Sequence, residues 1–335
     1  MSQSFFEQLE IPKADINLGI GSGSHAEQVG KTMIEFEKVL KSEKPDWVVV
    51  VGDVNATLAC SVTAKKELIK CCHIEAGLRS GDITMPEEIN RLVTDRLSDL
   101  LLTPDLIAVK NLQNEGIDEK KIRFVGNIMI DTLEKYIEIS SKLTISSIIE
   151  NNITEKKDNL QSISNENFGV VTLHRPSNVD DKIILASLVD FICNKCTDGL
   201  KIIWPVHPRT LKRLEEFNLI GKIKITKNLI ITHPLGYLEM LRLNMGAKIM
   251  LTDSGGLQEE CTVLGTPCLT MRWNTERPVT LKEHGGASVL VGNNVQRISI
   301  EFDEAMKKQR SPYRPELWDG HTAERCLQAI LDYKE

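Results

Sequence analysis

Short runs of consecutive apolar residues alternate along the chain with longer segments in which apolar residues recur at helical spacing. Uninterrupted apolar runs are typical of strands that are buried on both faces, as they are in parallel sheets. We therefore predict a parallel strand at each run and expect the first, 47–51, to be covered on both faces. The predicted strands are 47–51, 71–75, 99–103, 121–125, 168–173, 201–206, 229–232, 248–252, 268–271 and 287–291.

Segments with helical periodicity fill the intervals between these runs. The pattern predicts helices at 26–41 and 55–69, one long helix over 128–150, and a last helix at 322–333. Regular alternation of strands and helices is typical of doubly wound parallel sheets. The predicted fold class is therefore α/β, with two Rossmann-like doubly wound parallel-sheet domains and a cleft between them.

The chain of 335 residues is too long for one compact core and fits two domains of ordinary size. A polar stretch at 151–167 interrupts the alternation and is the best candidate for a linker or a surface insertion. We predict a first domain at 1–150 and a second at 168–315. The remaining segment, 316–335, is expected to form a helix that packs back on the first domain.

Charge, apolar runs and cysteine positions exclude several classes of protein. A net charge of -6 provides no basic surface for nucleic acid or for an anionic membrane. No apolar run approaches the roughly 20 residues of a membrane-spanning helix, and the first residues lack the pattern of a signal peptide. The eight cysteines lie within apolar runs, which indicates buried thiols in a reducing compartment. We expect a cytoplasmic protein.

A glycine-containing turn joins one predicted strand to the helix that follows it: Asp253-Ser254-Gly255-Gly256. Asp253 or Ser254 can cap the helix, and the glycines let backbone N–H groups approach a ligand closely. The unpaired donors and the helix dipole at such a turn favour a phosphate group. Glu260, farther into the helix, could accept hydrogen bonds from two ribose hydroxyls. The alternative is an ordinary, well-capped turn.

Three carboxylates lie at or just beyond the ends of predicted strands in the first half of the chain. Asp53 and Glu75 each follow a strand, and Glu87 opens the next helix with Arg91 one turn later. Ligands of parallel sheets collect at the carboxyl ends of the strands, so these acids could transfer protons. The alternative is structural, with Asp53 as a helix cap and Glu87 paired with Arg91.

Histidines end three predicted strands of the second half, as His174, His207 and His233. We expect all three to face one crevice, with Arg277 beside it in a position suited to a pyrophosphate. The turns that carry these histidines lack the paired ligand spacing of a metal site. The sequence also lacks the glycine motifs of NAD-binding and P-loop proteins. We therefore expect neither a metal nor NAD.

Taken together, these residues resemble the UDP-N-acetylglucosamine 2-epimerase family, especially its non-hydrolysing branch. The similarity covers nearly the whole chain. The matching segments, in family order, are Gly52-Asp53, His73-Ile-Glu75-Ala-Gly-Leu-Arg79, Met85-Pro-Glu87-Glu-Ile-Asn-Arg91, Val125-Gly-Asn127, Thr172-Leu-His174-Arg175-Pro176, Pro205-Val-His207-Pro208, Asp253-Ser254-Gly255-Gly256-Leu-Gln-Glu259-Glu260 and Thr275-Glu276-Arg277-Pro278.

The resemblance implies two Rossmann-like domains of the glycosyltransferase-B type and a homodimer that interconverts UDP-GlcNAc and UDP-ManNAc for surface polysaccharide. The family reaction proceeds without NAD, by anti elimination of UDP to 2-acetamidoglucal and re-addition on the other face. The catalytic residues carried over from the family are Asp53, Glu75, Glu87, Arg91 and His174. The residues expected to bind UDP or the sugar are Arg175, His207, Ser254, Gly255, Gly256, Glu260 and Arg277.

One departure from the family concerns the beginning of the chain. Family members start with a strand and a Gly-x-Arg-Pro-Glu loop, and this sequence has neither before Ile11. The expectation is that the first βαβ unit is missing. Three alternatives remain: a hydrolysing relative that releases ManNAc and UDP, a glycosyltransferase with the same fold, and a nucleotide-sugar-binding protein without turnover. Three carboxylates in the first domain disfavour the glycosyltransferase.

Overall fold

The computed structural model describes residues 8–154 and 168–334 of the chain. The chain folds into two units, the first formed by Lys13–Thr132 with Pro315–Glu335 and the second by Met1–Pro12 with Leu133–Arg314. The predicted linker or insertion at 151–167 lies mostly outside the described residues, from 155 onward. Among the described residues, no helix is both long and apolar enough to cross a membrane.

The first unit is a four-stranded parallel sheet in the order β1-β2-β3-β4. Its strands are β1 (Trp47–Val51), β2 (Lys70–Ile74), β3 (Leu100–Thr103) and β4 (Ile122–Phe124). Its helices are α1 (His25–Glu43), α2 (Asn55–Lys66), α3 (Pro86–Leu97) and α4 (Leu106–Asn114), and α5 (Ile128–Ser141) begins here and runs into the second unit.

Local sequence explains where these helices begin. Ser24 and Glu27 form a capping box at the start of α1, with reciprocal hydrogen bonds between each side chain and the other residue's N–H. Pro86 opens α3 and is followed by two acidic residues, which interact favourably with the positive end of the helix dipole. The first N–H groups of a helix have no partner within it. The capping box gives two of these groups at α1 an acceptor, and Pro86 at the start of α3 has no N–H to satisfy.

The prediction that strand 47–51 is buried on both faces was wrong, although the strand is parallel as expected. Val48 and Val50 pack against α1 and α2, whereas Val49 and Val51 on the other face are 45% and 49% exposed. Among the described residues β1 pairs only with β2 and forms an edge of the sheet. A continuous valine run therefore did not distinguish a central strand from an edge strand.

The second unit contains a six-stranded parallel sheet in the order β10-β9-β8-β5-β6-β7. Its strands are β5 (Phe168–Thr172), β6 (Lys201–Pro205), β7 (Leu229–Thr232), β8 (Ile249–Thr252), β9 (Cys268–Thr270) and β10 (Ser288–Leu290). Its helices are α6 (Ile145–Asn152), α7 (Pro176–Val179), α8 (Lys182–Phe191), α9 (Pro208–Glu216), α10 (Ile220–Ile225), α11 (Tyr237–Gly246), α12 (Gly255–Leu264) and α13 (Val295–Met306).

This strand order is that of a Rossmann sheet, in which successive strands are added first on one side of the first strand and then on the other, so that the strand order reverses at the two central strands. The central pair here is β5 and β8, with Thr172 opposite Thr252 at the last paired position. Ligands of such sheets bind just beyond the carboxyl ends of the central strands. Residues that follow Thr172 and Thr252 therefore occupy the position where a ligand is expected.

The single helix predicted over 128–150 is two helices. α5 ends at Ser141, and Thr144 caps α6 by accepting a hydrogen bond from the N–H of Ser147 at 3.2 Å. The Leu143 carbonyl, freed by the break, accepts from Arg242 Nε at 2.8 Å. α6 packs with the core around Phe168, which explains why the unit boundary falls earlier in the chain than residue 150.

The C-terminal segment contributes to the first unit through its last helix, α14 (Thr322–Leu331). Cys326 of α14 belongs to the core cluster that contains Cys72 and Leu100. Trp318, which is almost completely buried, donates from its indole nitrogen to the Pro104 carbonyl at 2.9 Å. All eight cysteines are free thiols, and seven of them are buried.

Gly126 and Gly116 test how closely the C-terminal segment fits the first unit. Both have positive φ angles, of 93° and 74°, but a Cβ on Gly126 would lie 2.2 Å from the Leu317 carbonyl oxygen, whereas nothing lies within 4 Å at Gly116. Gly116→Ala should cost about 1 kcal/mol of unfolding free energy through backbone strain alone. Gly126→Ala should cost about 2 kcal/mol more because of the added clash. Urea denaturation followed by circular dichroism measures both, and equal losses would contradict the described packing.

Candidate active site

The centre of the second sheet ends in a polar cluster. The hydroxyls of Thr172 and Thr252 are 2.6 Å apart across the ends of β5 and β8, and Thr252 Oγ1 also accepts from the Ser254 N–H at 3.0 Å. Asp253 follows β8 directly, and His174 lies two residues beyond β5. Side chains from both central strands therefore meet where a Rossmann-like sheet binds its ligand.

Asp253 organises this cluster. Its fully buried carboxylate accepts from the backbone N–H of His174 at 3.0 Å and of Arg175 at 2.9 Å, and from Asn178 Nδ2 at 3.0 Å. Burial would raise the pKa of Asp253, but these hydrogen bonds and the neighbouring His174 outweigh burial and lower it. Asp253 does not cap α12. The N-cap is Ser254, whose side chain makes no capping hydrogen bond.

Asp253 also fixes the orientation of His174. The Nδ1 atom of His174 lies 2.7 Å from the Asp253 carboxylate, so this nitrogen carries the hydrogen and Nε2 is the nitrogen directed elsewhere. The His174 side chain remains partly exposed to solvent, at 39%. A histidine oriented in this way presents Nε2 to a ligand, and this nitrogen accepts a hydrogen bond in the neutral ring and donates one in the protonated ring.

The structure brings two of the three strand-end histidines together. The rings of His174 and His207 have centroids 5.6 Å apart. His207 Nδ1 accepts from the Arg209 N–H at 3.2 Å, and burial together with the nearby His174 lowers the pKa of His207. His233 is exposed, and its backbone N–H donates to the Asn152 carbonyl at 2.8 Å.

The amino-terminal turn of α12 lies within the same cluster. Gly255 and Gly256 are half-buried, and the first N–H groups of the helix have no partner within the helix itself. A Cβ on Gly255 would lie 2.7 Å from Glu276 Oε1 and 2.9 Å from Arg277 Nη1. A side chain at position 255 would displace these two groups, and the close contact shows that the Arg277 guanidinium lies beside the positive end of the helix.

Arg277 is held in place by two buried carboxylates. Its Nε lies 2.9 Å from Glu259 Oε1, and its Nη1 bonds to Glu276, which also binds Arg272 at 2.5 Å. Burial would raise the pKa of Glu276, but Arg277 and Arg272 lower it far below the usual range. The predicted cation is therefore present next to the turn, in a fixed orientation and with its charge partly balanced.

Arg175 adds a further donor to the cluster. It is the N-cap residue of α7, and its backbone is fixed by the hydrogen bond to Asp253. Its Nε atom is buried and donates to no atom of the residues that the structure describes. A buried donor without a protein partner normally costs free energy, so this atom is well suited to a ligand oxygen.

Glu260 is a buried carboxylate of α12. It is 7% exposed and interacts with the Tyr237 hydroxyl and with Asn244 Nδ2, the latter at 3.4 Å. Burial raises the pKa of Glu260 to about 7, although the hydrogen bonds from Asn244 and Tyr237 work in the opposite direction. Near neutral pH this carboxyl is therefore distributed between its protonated and ionised forms.

In the first unit, the structure pairs Asp53 with Arg91. The Arg91 guanidinium, which is 2% exposed, bonds to the Asp53 carboxylate, and Asn90 Nδ2 donates to the Asp53 carbonyl at 2.8 Å. The alternative role of Asp53 as a helix cap was wrong, because the N-cap of α2 is Val54. Two side chains of α3 instead fix both the backbone and the side chain of Asp53.

The alternative pairing of Glu87 with Arg91 was also wrong. Arg91 binds Glu88 instead, with Nε and the Glu88 carboxylate 3.0 Å apart, and Glu88 also accepts from the N–H groups of Ser80 and Gly81. Glu87 is half-buried, and no hydrogen bond or ion pair reaches it from the described parts of the chain. Its carboxylate is therefore available to a ligand.

Glu75 has an unusual backbone conformation. It follows β2 with a φ angle of 70°, a region that residues with a side chain seldom adopt. Such conformations cost roughly 1–3 kcal/mol and cluster at functional sites. Glu75 shares a positive φ with five other non-glycine residues among those described, and it is the one of the six that directly follows a strand.

Sequence reasoning missed a buried ion-pair network beneath these carboxylates. His73, fully buried in β2, has Nδ1 2.6 Å from Asp95 and Nε2 2.8 Å from the Gly52 carbonyl oxygen, which immediately precedes Asp53. Arg79 Nη1 lies 2.7 Å from the same Asp95. Burial would lower the pKa of His73, but Asp95 and the Gly52 carbonyl raise it. In the sequence, His73 and Arg79 stood out only as members of one segment that matches the family, and Asp95 carried no signal.

The described residues include no group of three or more histidine, cysteine, aspartate or glutamate side chains that could hold a metal ion. The polar groups near the strand ends are instead hydrogen-bond donors and separate carboxylates. This donor set fits the recognition of a phosphorylated organic ligand better than the coordination of a metal.

A parallel α/β fold with a Rossmann strand order and an anion-binding turn at its central strands defines a nucleotide-binding class of protein. Comparison with known proteins narrows that class. The sequence profile of UDP-N-acetylglucosamine 2-epimerase matches residues 1–331. The chain is 44% identical over 339 residues to the UDP-N-acetylglucosamine 2-epimerase of Methanocaldococcus jannaschii, covering 99% of this chain and 88% of that protein.

Two further comparisons agree. A crystal structure of UDP-GlcNAc 2-epimerase from M. jannaschii in complex with UDP-GlcNAc and UDP superposes with a TM-score of 0.88 at 43% identity, covering 99% of this chain and 88% of that one. The UDP-2,3-diacetamido-2,3-dideoxy-D-glucuronate 2-epimerase of Pseudomonas aeruginosa is 40% identical over 297 residues, covering 87% of this chain and 76% of that protein. The chain belongs to the UDP-N-acetylglucosamine 2-epimerase family, and the predicted fold of two Rossmann-like parallel sheets is confirmed.

The elevated pKa of Glu260 predicts a specific dependence of stability on pH. Its folded-state pKa of about 7 lies above its ordinary value of 4.5, so the folded chain holds a proton that the unfolded chain releases. Stability is therefore lost as pH rises from 4.5 through 7. Relative to Glu260→Gln, the wild-type free energy of unfolding should fall by about 3 kcal/mol over this interval.

Urea denaturation at a series of pH values measures this difference. Glu215→Gln is the matched control, because Glu215 is an exposed residue of α9 in the same unit. Its difference from wild type should stay constant with pH. A constant difference for Glu260→Gln as well would show that the Glu260 carboxyl titrates normally.

Proposed function

We propose that this chain is a non-hydrolysing UDP-GlcNAc 2-epimerase, an isomerase that interconverts UDP-GlcNAc and UDP-ManNAc. The observation that carries the proposal is the cluster at the ends of β5 and β8. There, Asp253 orients His174 beside the half-buried amino-terminal turn of α12. The 44% identity to a relative named for this activity supports the same assignment.

In this proposal, the second unit binds the UDP part of the substrate. The N–H groups at the start of α12, from Ser254 through Gly256, receive the phosphate oxygens, as helix amino termini commonly do. Arg277 lies against Gly255 and adds positive charge next to that turn. Arg175 and His207 complete the set, because both lie beside His174 at the ends of neighbouring strands.

Glu260 accepts from the two ribose hydroxyls of the uridine. Two donors from the ligand favour the ionised carboxylate, which burial disfavours in the unbound protein. Binding of UDP should therefore release a proton at pH values below about 7, and UDP should bind more tightly as pH rises toward that value. Ribose binding and proton release are coupled because burial raises the pKa of Glu260 in the unbound protein.

The chemistry requires removal of a proton from C2, which is not acidic in the ground state. The bond between C1 and the diphosphate oxygen must therefore be well advanced in breaking when the proton leaves. The C2–H electron pair then forms the C1–C2 double bond of 2-acetamidoglucal, and UDP departs with the electrons of the C1–O bond. Re-addition of UDP to C1 and of a proton to the other face of C2 gives the epimer.

The proposed acid and base groups are the three carboxylates of the first unit. The Asp53 carboxylate bonds to Arg91, and Glu75 has an unusual backbone conformation. The Glu87 carboxylate accepts no hydrogen bond from the described residues. His174, as the imidazolium cation with a hydrogen on both nitrogens, donates from Nε2 to the departing diphosphate. Because the reaction is an elimination followed by an addition, it changes no oxidation state overall, and we propose that it requires no NAD.

The biological setting belongs to the same proposal. UDP-ManNAc is a donor for polysaccharide synthesis, so the product would supply ManNAc units for a surface polysaccharide from the cytoplasm. The proposal includes a homodimer, which rests on the family resemblance alone. Nothing in the net charge of -6 favours a nucleic-acid partner.

Proton NMR of the full chain with UDP-GlcNAc in deuterated water tests the proposal. Formation of UDP-ManNAc with deuterium at C2 is expected, because the abstracted proton exchanges with solvent before re-addition. Free ManNAc with UDP would assign the chain to the hydrolysing relatives. An unchanged spectrum with saturable UDP-GlcNAc binding would indicate a binding protein without turnover.

The 40% identity to the Pseudomonas aeruginosa relative supports a second candidate substrate. That relative is named for a UDP-2,3-diacetamido-2,3-dideoxy-D-glucuronate, which undergoes inversion at the same carbon. The same deuterium-exchange measurement with this substrate distinguishes the two candidates. Turnover of the diacetamido uronate without turnover of UDP-GlcNAc would replace the leading substrate but keep the reaction type.

Asp53→Asn tests the division of roles between the two units. Removing the ionisable group should lower kcat by at least about 100-fold, since a positioned acid or base contributes this much or more. UDP affinity, measured by calorimetry, should stay within about two-fold, because the proposed UDP contacts all lie in the second unit. Glu138→Gln is a matched control that removes an exposed carboxylate paired with Lys142. Loss of UDP affinity in Asp53→Asn would contradict a purely chemical role.

A further inference from the structure

A second concave site lies away from the polar cluster that ends β5 and β8. It is a cavity of ≈ 240 Å³ in the second unit, lined by residues that precede or begin β9 and β10, including Pro267, Cys268 and Ala287. The strands of this sheet are parallel, so their amino-terminal ends lie at the edge opposite to the one that carries Asp253 and His174. The cavity is therefore separate from the proposed nucleotide site.

The inner wall of the cavity is apolar. Leu269 of β9 and Ala305 of α13 are 1% and 5% exposed, and Val289 of β10 is half-buried beside them. The volume is below the roughly 300–1,000 Å³ of pockets that bind drug-sized molecules. The wall therefore suits a small apolar body, such as one ring or a short alkyl chain.

The remaining lining carries an unusual arrangement of charge. Lys282 and Lys308 both line the cavity, so two basic side chains border the same small space. Glu301, one helical turn before Ala305, is the one carboxylate that lines the cavity with them. Burial and the neighbouring Lys282 lower the pKa of Lys308, whereas Glu301 and Glu304 act in the opposite direction. The lining keeps a net positive charge.

Two cations that line one small cavity repel each other, and an anion between them offsets that repulsion. We propose that this cavity binds a small organic carboxylate, with its anionic group between Lys282 and Lys308 and its apolar body against Leu269, Val289 and Ala305. Glu301 lines the same cavity, so a second anionic group on the occupant would be repelled by its carboxylate. The proposal is independent of the reaction assigned to the nucleotide site.

Calorimetric titration of the full chain with benzoate tests this site, with benzamide as a neutral ligand of nearly equal shape. Benzoate should bind with saturation, and benzamide should bind at least about five-fold more weakly, since it lacks the charge-assisted hydrogen bonds. Saturating UDP should leave the benzoate affinity unchanged. Equal affinity for both ligands, no measurable binding of benzoate, or displacement of benzoate by UDP would each overturn the proposal.

Lys308→Met keeps the length of the side chain and removes its charge. It should weaken benzoate binding by about five-fold or more and leave benzamide binding unchanged. Lys282→Met should have the same effect, which protects the test if one variant folds poorly. Lys307→Met is the matched control, because the neighbouring Lys307 pairs with Glu304 at 2.8 Å and does not line the cavity. An equal effect of Lys307→Met and Lys308→Met would contradict the site.

Discussion

The buried carboxylate of Asp253 connects the two central strands of the second sheet. It follows β8 and accepts hydrogen bonds from the residues that leave β5, so the ends of both strands depend on one ionised group. Without those donors, a carboxylate in this position would be protonated or would destabilise the fold, because isolated buried charge is costly. The same interactions orient His174. Architecture and chemistry therefore depend on one side chain, which has no freedom to serve as a helix cap.

The first unit uses a similar arrangement with different residues. Asp95 binds His73 and Arg79, and His73 in turn binds the Gly52 carbonyl, immediately before Asp53. A buried ion pair alone is weak support for stability, but here its members fix the backbone next to a strand end. Arg91, bound to Glu88, then fixes the Asp53 side chain. In both units, buried carboxylates fix the polar groups near the strand ends. Asp253 does so for His174, and Asp95 and Glu88 do so for His73 and Arg91.

Sequence periodicity predicted the strands well because a buried parallel strand leaves a continuous apolar run, as in Leu100–Thr103. The same reasoning failed for β1, because a run of valines looks the same whether both faces of the strand are covered or only one. It also failed at Thr144, where one capping hydroxyl divides an otherwise continuous helical pattern. The position at a strand end drew attention to Asp53, but the i,i+4 spacing suggested Glu87 as the partner of Arg91, whereas the structure pairs Arg91 with Glu88. That choice depends on the loop at Ser80 and Gly81, which binds Glu88.

This choice has a chemical consequence. Adjacent glutamates on one helix point to different sides, since successive residues are about 100° apart. Glu88 turns inward and is fixed by an arginine and two backbone N–H groups, so its pKa falls despite burial. Glu87 is left half-buried beyond that network. Arg91 and the loop N–H groups occupy the Glu88 carboxylate, so Glu88 fixes the position of Arg91. The packing of α3 therefore gives the two neighbouring glutamates different environments, one bonded within the protein and one half-buried without a partner among the described residues.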